Sequence, residues 1–138
     1  MSDSANIDVA LVAALASDAA LMAVATGGVF FDFAAPGAQR FIVVSVVIAF
    51  DELVFNARSY EDVVYRVKYV EMGTGSAGSS AAAARIDALL DGKTLAITGY
   101  TFMNMERTEY VRYIEPDPVD ASLRWQHAGG LYRVWASL

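Results

Sequence analysis

Residues 63–72 read VVYRVKYVEM, residues 73–80 read GTGSAGSS and residues 81–90 read AAAARIDALL. In the first run Val63, Tyr65, Val67 and Tyr69 recur with period two, and Arg66 and Lys68 take the positions between them. That is the pattern of a strand with one buried and one wet face. In the third run Ala82, Ile86, Leu89 and Leu90 follow the i, i+4, i+7, i+8 spacing that lays an apolar stripe along a helix, and Asp91-Gly92 ends it. The small residues between the two form a link. A half-buried strand followed by an amphipathic helix reads as a sheet with helices on it.

Upstream, residues 41–50 read FIVVSVVIAF. Both faces of this predicted strand are apolar, with Phe41, Val43 and Val47 on one and Ile42, Val44, Val46 and Ile48 on the other. Such a strand is either central under helices or covered by another subunit. Ile7, Leu11 and Leu15 share one helical face, and Ser17-Asp18 caps a second short helix carrying Leu21, Met22 and Val24. Gly27-Gly28 closes that helix, a short strand follows over 29–33, and residues 34–38 make a turn around Pro36.

Downstream, residues 95–104 and 107–115 read as two strands joined in a hairpin near Met105-Glu106. Pro116-Asp117-Pro118 breaks the chain, and residues 131–136 form a last strand. Residues 51–62 (DELVFNARSYED) mix charge with Leu53, Val54, Phe55 and Tyr60, and read as a long loop or an extended hairpin arm. The order predicts an α+β domain spanning 1–138, a mainly antiparallel sheet with two or three helices on one face.

The chain has 138 residues, no cysteine, 16 Asp and Glu against 10 Lys and Arg, and a net charge of −6. Disulfides, thiolate metal sites and a cysteine nucleophile are excluded. No Lys or Arg precedes Arg40, and an acidic surface repels phosphate rather than gripping it. The longest apolar run is about half the ~20 residues of a membrane helix, and no basic signal region precedes the first apolar stretch. The expectation is a soluble protein assembled in the cytoplasm.

Gly73-Thr74-Gly75-Ser76-Ala77-Gly78 spells G-x-G-x-x-G between a strand and a helix, the context of a dinucleotide loop. A small nucleotide-binding module is therefore one reading. Against it, such a unit needs successive parallel crossovers, and the strands that follow look like hairpins. His127, the single histidine, has no carboxylate at ligand spacing. The pairs Asp51-Glu52 and Glu61-Asp62 read as solvated acids of a polar loop, and no serine lies in a nucleophile elbow. No enzyme, cofactor or metal site is expected. Tyr60, Tyr65, Tyr69, Tyr100, Tyr110, Tyr113 and Tyr132 read as core edge or subunit interface rather than a base-stacking platform, because their strands lack a basic groove.

The N-terminal Ala/Leu helices running into Gly27-Gly28-Val29-Phe30, the strand Phe41-Ile42-Val43-Val44-Ser45, Tyr65-Arg66-Val67-Lys68, Ile86-Asp87-Ala88-Leu89-Leu90 and the closing His127-Ala128-Gly129-Gly130-Leu131-Tyr132-Arg133-Val134 form a layout. It resembles the tail-terminator (tail-completion) proteins of long-tailed phages and related gene-transfer particles. The resemblance implies a non-enzymatic virion protein forming a ring, expected to be a hexamer, at the head-proximal end of the tail. Its partners would be further copies of itself, the tail tube protein and the head-closure or connector protein, with DNA passing through unbound and no membrane contact. A head-closure or other neck protein is the alternative within the virion. Phe50, Leu53, Val54, Phe55 and Tyr60 are the expected subunit-interface residues. Asp51, Glu52, Glu61 and Asp62 are the expected acidic residues of the bore.

Overall fold

The computed structural model describes residues 5–54, 57–73 and 77–137. Helices α1 (Ala5–Ala16) and α2 (Ala19–Val24) lead into the short strand β1 (Val29–Phe31) and the long strands β2 (Arg40–Val54) and β3 (Ala57–Met72). Helix α3 (Ala77–Leu90) precedes β4 (Thr101–Pro116) and β5 (Arg124–Ser137). The sheet order is β1-β2-β3-β5-β4. β1 lies parallel to β2, and every other pairing is antiparallel. The α+β architecture expected from the sequence is the one observed.

Alternation places the core. Val63, Tyr65, Val67 and Tyr69 of β3 are all fully buried, alongside Ile42 and Val44 of β2 and Tyr132, Val134 and Ala136 of β5. Ile7, Leu11 and Leu15 of α1, Leu21 of α2, and Ala82, Ile86 and Leu90 of α3 cover that face. Two tyrosine hydroxyls inside this core hydrogen-bond to helix carboxylates, which offsets the cost of burying an O–H. Tyr65 donates to Asp8, and Tyr132 donates to Asp87 at 3.0 Å. Burial, followed by the neighbouring carboxylate, pushes both phenols up from their ordinary acidity. Tyr65, Tyr69 and Tyr132 are thus core residues and not interface residues.

Asp18 caps α2 as its sequence context suggests, accepting from Leu21 N–H at 2.9 Å. It also clamps α2 to α3, taking Arg85 Nε at 2.8 Å. The bond from Arg85, ahead of the Leu21 amide, lowers its carboxyl to about 2.

Two expectations need correction. β4 is one strand, not a hairpin. Its register shifts between Phe102 and Asn104 and again between Arg107 and Glu109, and each bulge resets the alternation that sequence reading relies on. Met105, the expected turn, is fully buried in mid-strand, while Leu95 and Ile97 are buried outside any strand. Helix α3 begins at Ala77, so Gly78 is helical and not part of a flexible link. Of the two forms expected for residues 51–62, a long loop or an extended hairpin arm, the pairing favours the arm: residues 51–54 of β2 and 57–61 of β3 pair antiparallel, with residues 55 and 56 outside the described set.

The second face of the sheet carries a smaller cluster, Phe41, Val43 and Val70, packed with Phe30 and Trp125. The doubly apolar stretch of β2 is therefore covered on both sides within one chain as far as Val44, whereas Val46, Val47 and Ile48 are exposed. A bulge between Val46 and Ile48 marks the change.

Gly129 fixes how tightly β5 approaches β3. A Cβ there would stand 1.9 Å from the Val67 carbonyl oxygen and 2.7 Å from Lys68 Cα, both backbone atoms that cannot step aside. Gly129→Ala is expected to destabilise the fold by about 3 kcal/mol, the upper range for overpacking, or about 10 °C in melting temperature. Gly73→Ala meets nothing within 4 Å and should leave the melting curve unchanged in the same assay.

Candidate assembly surfaces

Among the described residues no three histidine, aspartate or glutamate side chains gather to hold a metal ion, and no helix is long and apolar enough to cross a membrane. Two surface features stand out. One is a shallow apolar depression of about 540 Å³ lined by Ala5, Val9, Val12, Ala13 and Phe31, with Asp8 at its border. The other is a cleft of about 320 Å³ on the opposite side of the sheet, lined among others by Asp32, Phe33, Lys68, Glu115, Trp125 and His127.

His127 shows what that cleft can do. Its Nε2 lies 2.7 Å from Glu115 Oε1, and its ring stacks on Tyr113 at 4.3 Å. Lys68 Nζ donates to the Tyr113 hydroxyl at 2.8 Å. The imidazole is almost fully buried, and its Nδ1 has no hydrogen-bond partner. Burial, reinforced by the Lys68 charge and opposed by Glu115, lowers its pKa from 6.5. With one nitrogen engaged, the other enclosed and the ring face covered, the imidazole is a packing element rather than an open general base. Sequence reasoning missed Glu115 as its partner because the two meet across β4 and β5, with Tyr113 directly opposite His127 in the ladder.

The expected bore acids separate. Glu61 and Asp62 are consecutive in β3, so they point to opposite faces, and both are buried, at 3% exposure each. Glu61 accepts from the Tyr100 hydroxyl at 2.8 Å on the helix side. Asp62 is held by Arg133, with Nε at 2.8 Å. Neither carboxylate is the solvated loop acid that the sequence suggested, because each finds a partner far along the chain. Asp51 registers with Glu61 and Glu52 with Tyr60 in the β2–β3 ladder. Of the expected interface residues, Phe50, Leu53 and Val54 lie on β2 near its end, Tyr60 is half-buried on β3, and Phe55 lies outside the described residues.

Val9 on α1 and Phe33 and Val119 in loops are the most exposed large apolar residues, and a further group of them lies along the sheet margins. Val46, Val47 and Ile48 lie on β2, and Met103, Tyr110, Tyr113 and Ile114 on β4. β4 is an edge strand, and β1 covers β2 only opposite Ile42, Val43 and Val44. The described residues thus form a helix-backed sheet with exposed apolar side chains along both margins.

The sequence profile of the family described as Tail completion protein gp17 matches residues 9–134. The chain belongs to that family. It is a structural protein of a phage-type virion tail. The fold agrees. A chain of a solved structure described as "Virion of native gene transfer agent (GTA) particle" superposes with a TM-score of 0.67 at 20% identity, covering 96% of this chain and 95% of that one. A second solved chain superposes with a TM-score of 0.60 at 18% identity, over 100% of this chain and 97% of that one. No curated protein matches. Membership brings association with other virion proteins as part of the role.

Two measurements test the buried polar contacts. Asp62→Ala should lower stability by about 2 kcal/mol, less than the loss of a fully buried pair because Arg133 remains partly solvated; a solvated bore acid would leave urea unfolding unchanged. His127 titrates below its unfolded value, so the unfolded chain binds the extra proton and stability falls as pH drops through about 6.5. His127→Asn should flatten the melting temperature between pH 7.5 and 5 relative to the parent.

Proposed function

We propose that this chain is a tail terminator: copies close into a ring, expected to be a hexamer, that caps the last layer of the tail tube at its head-proximal end and joins it to the head-closure or connector protein. The observation that carries this reading is the pair of exposed apolar sheet margins on a chain whose family is a tail-completion family. A stable folded subunit with apolar margins at two different places makes head-to-tail contacts, and such contacts close into rings when the rotation allows. The role is non-enzymatic and needs no cofactor, and the particle is assembled in the host cytoplasm.

DNA passes through the bore without specific binding. Residues 41–57 contain no Lys or Arg, so the β2 arm of the hairpin carries no group to neutralise phosphate, and Arg58, in register with Leu53, is the one basic residue at the hairpin end. Glu61 and Asp62 are committed inside the subunit, so the proposed bore acids of this segment narrow to the positions of Asp51 and Glu52. Consecutive strand positions belong to opposite faces, so one of the two falls on whichever side lines the channel.

A head-closure or other neck protein is the second reading within the virion. A nucleotide-binding module is disfavoured by Gly78: a Cβ at that helical position would stand 2.7 Å from Glu71 Oε2. A carboxylate already lies where a phosphate would approach the helix start.

The test is the mass of the purified chain by light scattering, with a density map of the intact particle. A closed oligomer in solution and density between tube and connector are the expected results. A monomer at all concentrations, or density elsewhere in the particle, overturns the terminator role. A bore wall dominated by Arg66 and Lys68 overturns the account of DNA passage.

A further inference from the structure

We propose that neighbouring copies join edge to edge, the uncovered half of β2 in one copy pairing antiparallel with the uncovered half of β4 in the next, so that the subunits share one continuous sheet. This rests on the ring reading and names the surface that makes the ring.

The free edges are specific stretches of strand. On the β2 side, the last backbone bond to the preceding segment is Asp32 N–H to Val44 O at 2.9 Å. Beyond it, residues 46–54 pair with β3 on one side, and among the described residues no backbone group bonds them on the other. On the β4 side, the turn after α3 closes the upper part of the edge. Gly92 N–H donates to Met105 O at 2.9 Å, and Arg107 N–H donates to the Asp91 carboxylate at 2.9 Å. From Glu109 to Pro116 the outer edge has no such partner among the described residues.

Proteins that keep a long edge in water blunt it with lysine, proline, inward charge or shortness. Residues 45–54 contain no Lys, Arg or Pro, and Val46, Val47 and Ile48 are 39%, 45% and 45% exposed. The free stretch of β4 exposes Tyr110 at 51% and Ile114 at 59%.

Direction and register fit without rearrangement. β2 opposes β3, β3 opposes β5 and β5 opposes β4, so β4 runs opposite to β2. A copy in the same orientation therefore presents β4 antiparallel to β2, the more stable ladder, and one operation repeats around the ring. Cross-strand partners share a face. Asp51 registers with Glu61 and Arg112 with Ala128, and the side chains of Glu61 and Ala128 are both on the helix-bearing side. Setting position 51 against 112 thus keeps the faces continuous and centres the two free stretches. It also brings the register position of a carboxylate to that of a guanidinium.

The level of position 51 within a subunit is that of Ala136 on β5, by way of Glu61, and the level of Arg112 is that of Ala128. The step is 136 − 128 = 8 residues, a stagger of roughly 27 Å at about 3.4 Å per residue. A stagger of that kind closes when the strands lean away from the ring axis, the geometry of a barrel.

The chain has no cysteine, so an engineered pair reports alone. Ala49→Cys and Ile114→Cys occupy opposed positions in this register (49 + 114 = 51 + 112), and both native residues are exposed. Under mild oxidation the double variant should give a covalent ladder ending at the ring mass, and neither single variant should cross-link. Asp51→Arg and Arg112→Asp should each raise the concentration for half-assembly by about threefold, and together restore it. Rings that form without the ladder and ignore both charge reversals overturn edge pairing and leave the terminator reading standing. Cross-linking by Ala49→Cys alone indicates a two-fold β2–β2 contact and also overturns it. A chain that never assembles overturns both.

Discussion

One face of β3 holds this protein together. Val63, Tyr65, Val67 and Tyr69 stand in a row with no exposure at all, and all three helices and both neighbouring strands pack on or beside that row. The row contains large aromatics at alternate positions, which bury more area than aliphatics but bring a polar end with them. The helices answer that need at Tyr65 with Asp8, and at Tyr132 of the adjoining β5 with Asp87, so helix-to-sheet packing is fixed by directed bonds as well as by apolar area. Removing the alternation of β3 would leave three helices with nothing to cover.

The opposite face follows a different rule. There β5 comes so close to β3 at Gly129 that no side chain fits, and the polar residues near it interlock: Lys68 with Tyr113, Tyr113 with His127, His127 with Glu115. The glycine brings strands together and leaves a groove in which an aromatic stack can lie. The His127 and Gly129-Gly130 of the closing run thus have a structural cause, and it is packing, with no reacting group.

Legibility in the sequence tracked the range of the interaction. The strand at 63–72 and the stripe Ala82, Ile86, Leu89, Leu90 were readable because period and burial coincide over several residues, and the cap at Asp18 because it bonds a residue three positions on. β4 was misread as a hairpin because two bulges reset its parity. The start of α3 was misplaced because Gly78 and Ser79 are weak helix formers, while packing keeps Ser79 buried. Glu61 and Asp62 looked like a solvated pair because neither Tyr100 nor Arg133 is near them in sequence. The sheet margins could not be read from pattern at all. An exposed valine on β2 is like any other until the topology shows that β1 stops at Phe31.

The distribution of charge follows from the same packing. Asp8, Asp18 and Asp87 are held on or at the ends of the helices, and Glu61 points to their side of the sheet. Across the sheet, Arg66, Lys68 and Arg133 lie with Asp62 and Glu115. On the helix side Asp18 and Asp87 are offset by Arg85 and Arg107, whereas Asp8 and Glu61 are held by tyrosine hydroxyls. In a closed assembly of identical chains this arrangement repeats at every subunit, and the fields add. Whichever side faces the axis sets the potential that a passing polyanion meets, and the share of it that comes from the carboxylates held by tyrosine and arginine bonds is a fixed property of the folded chain.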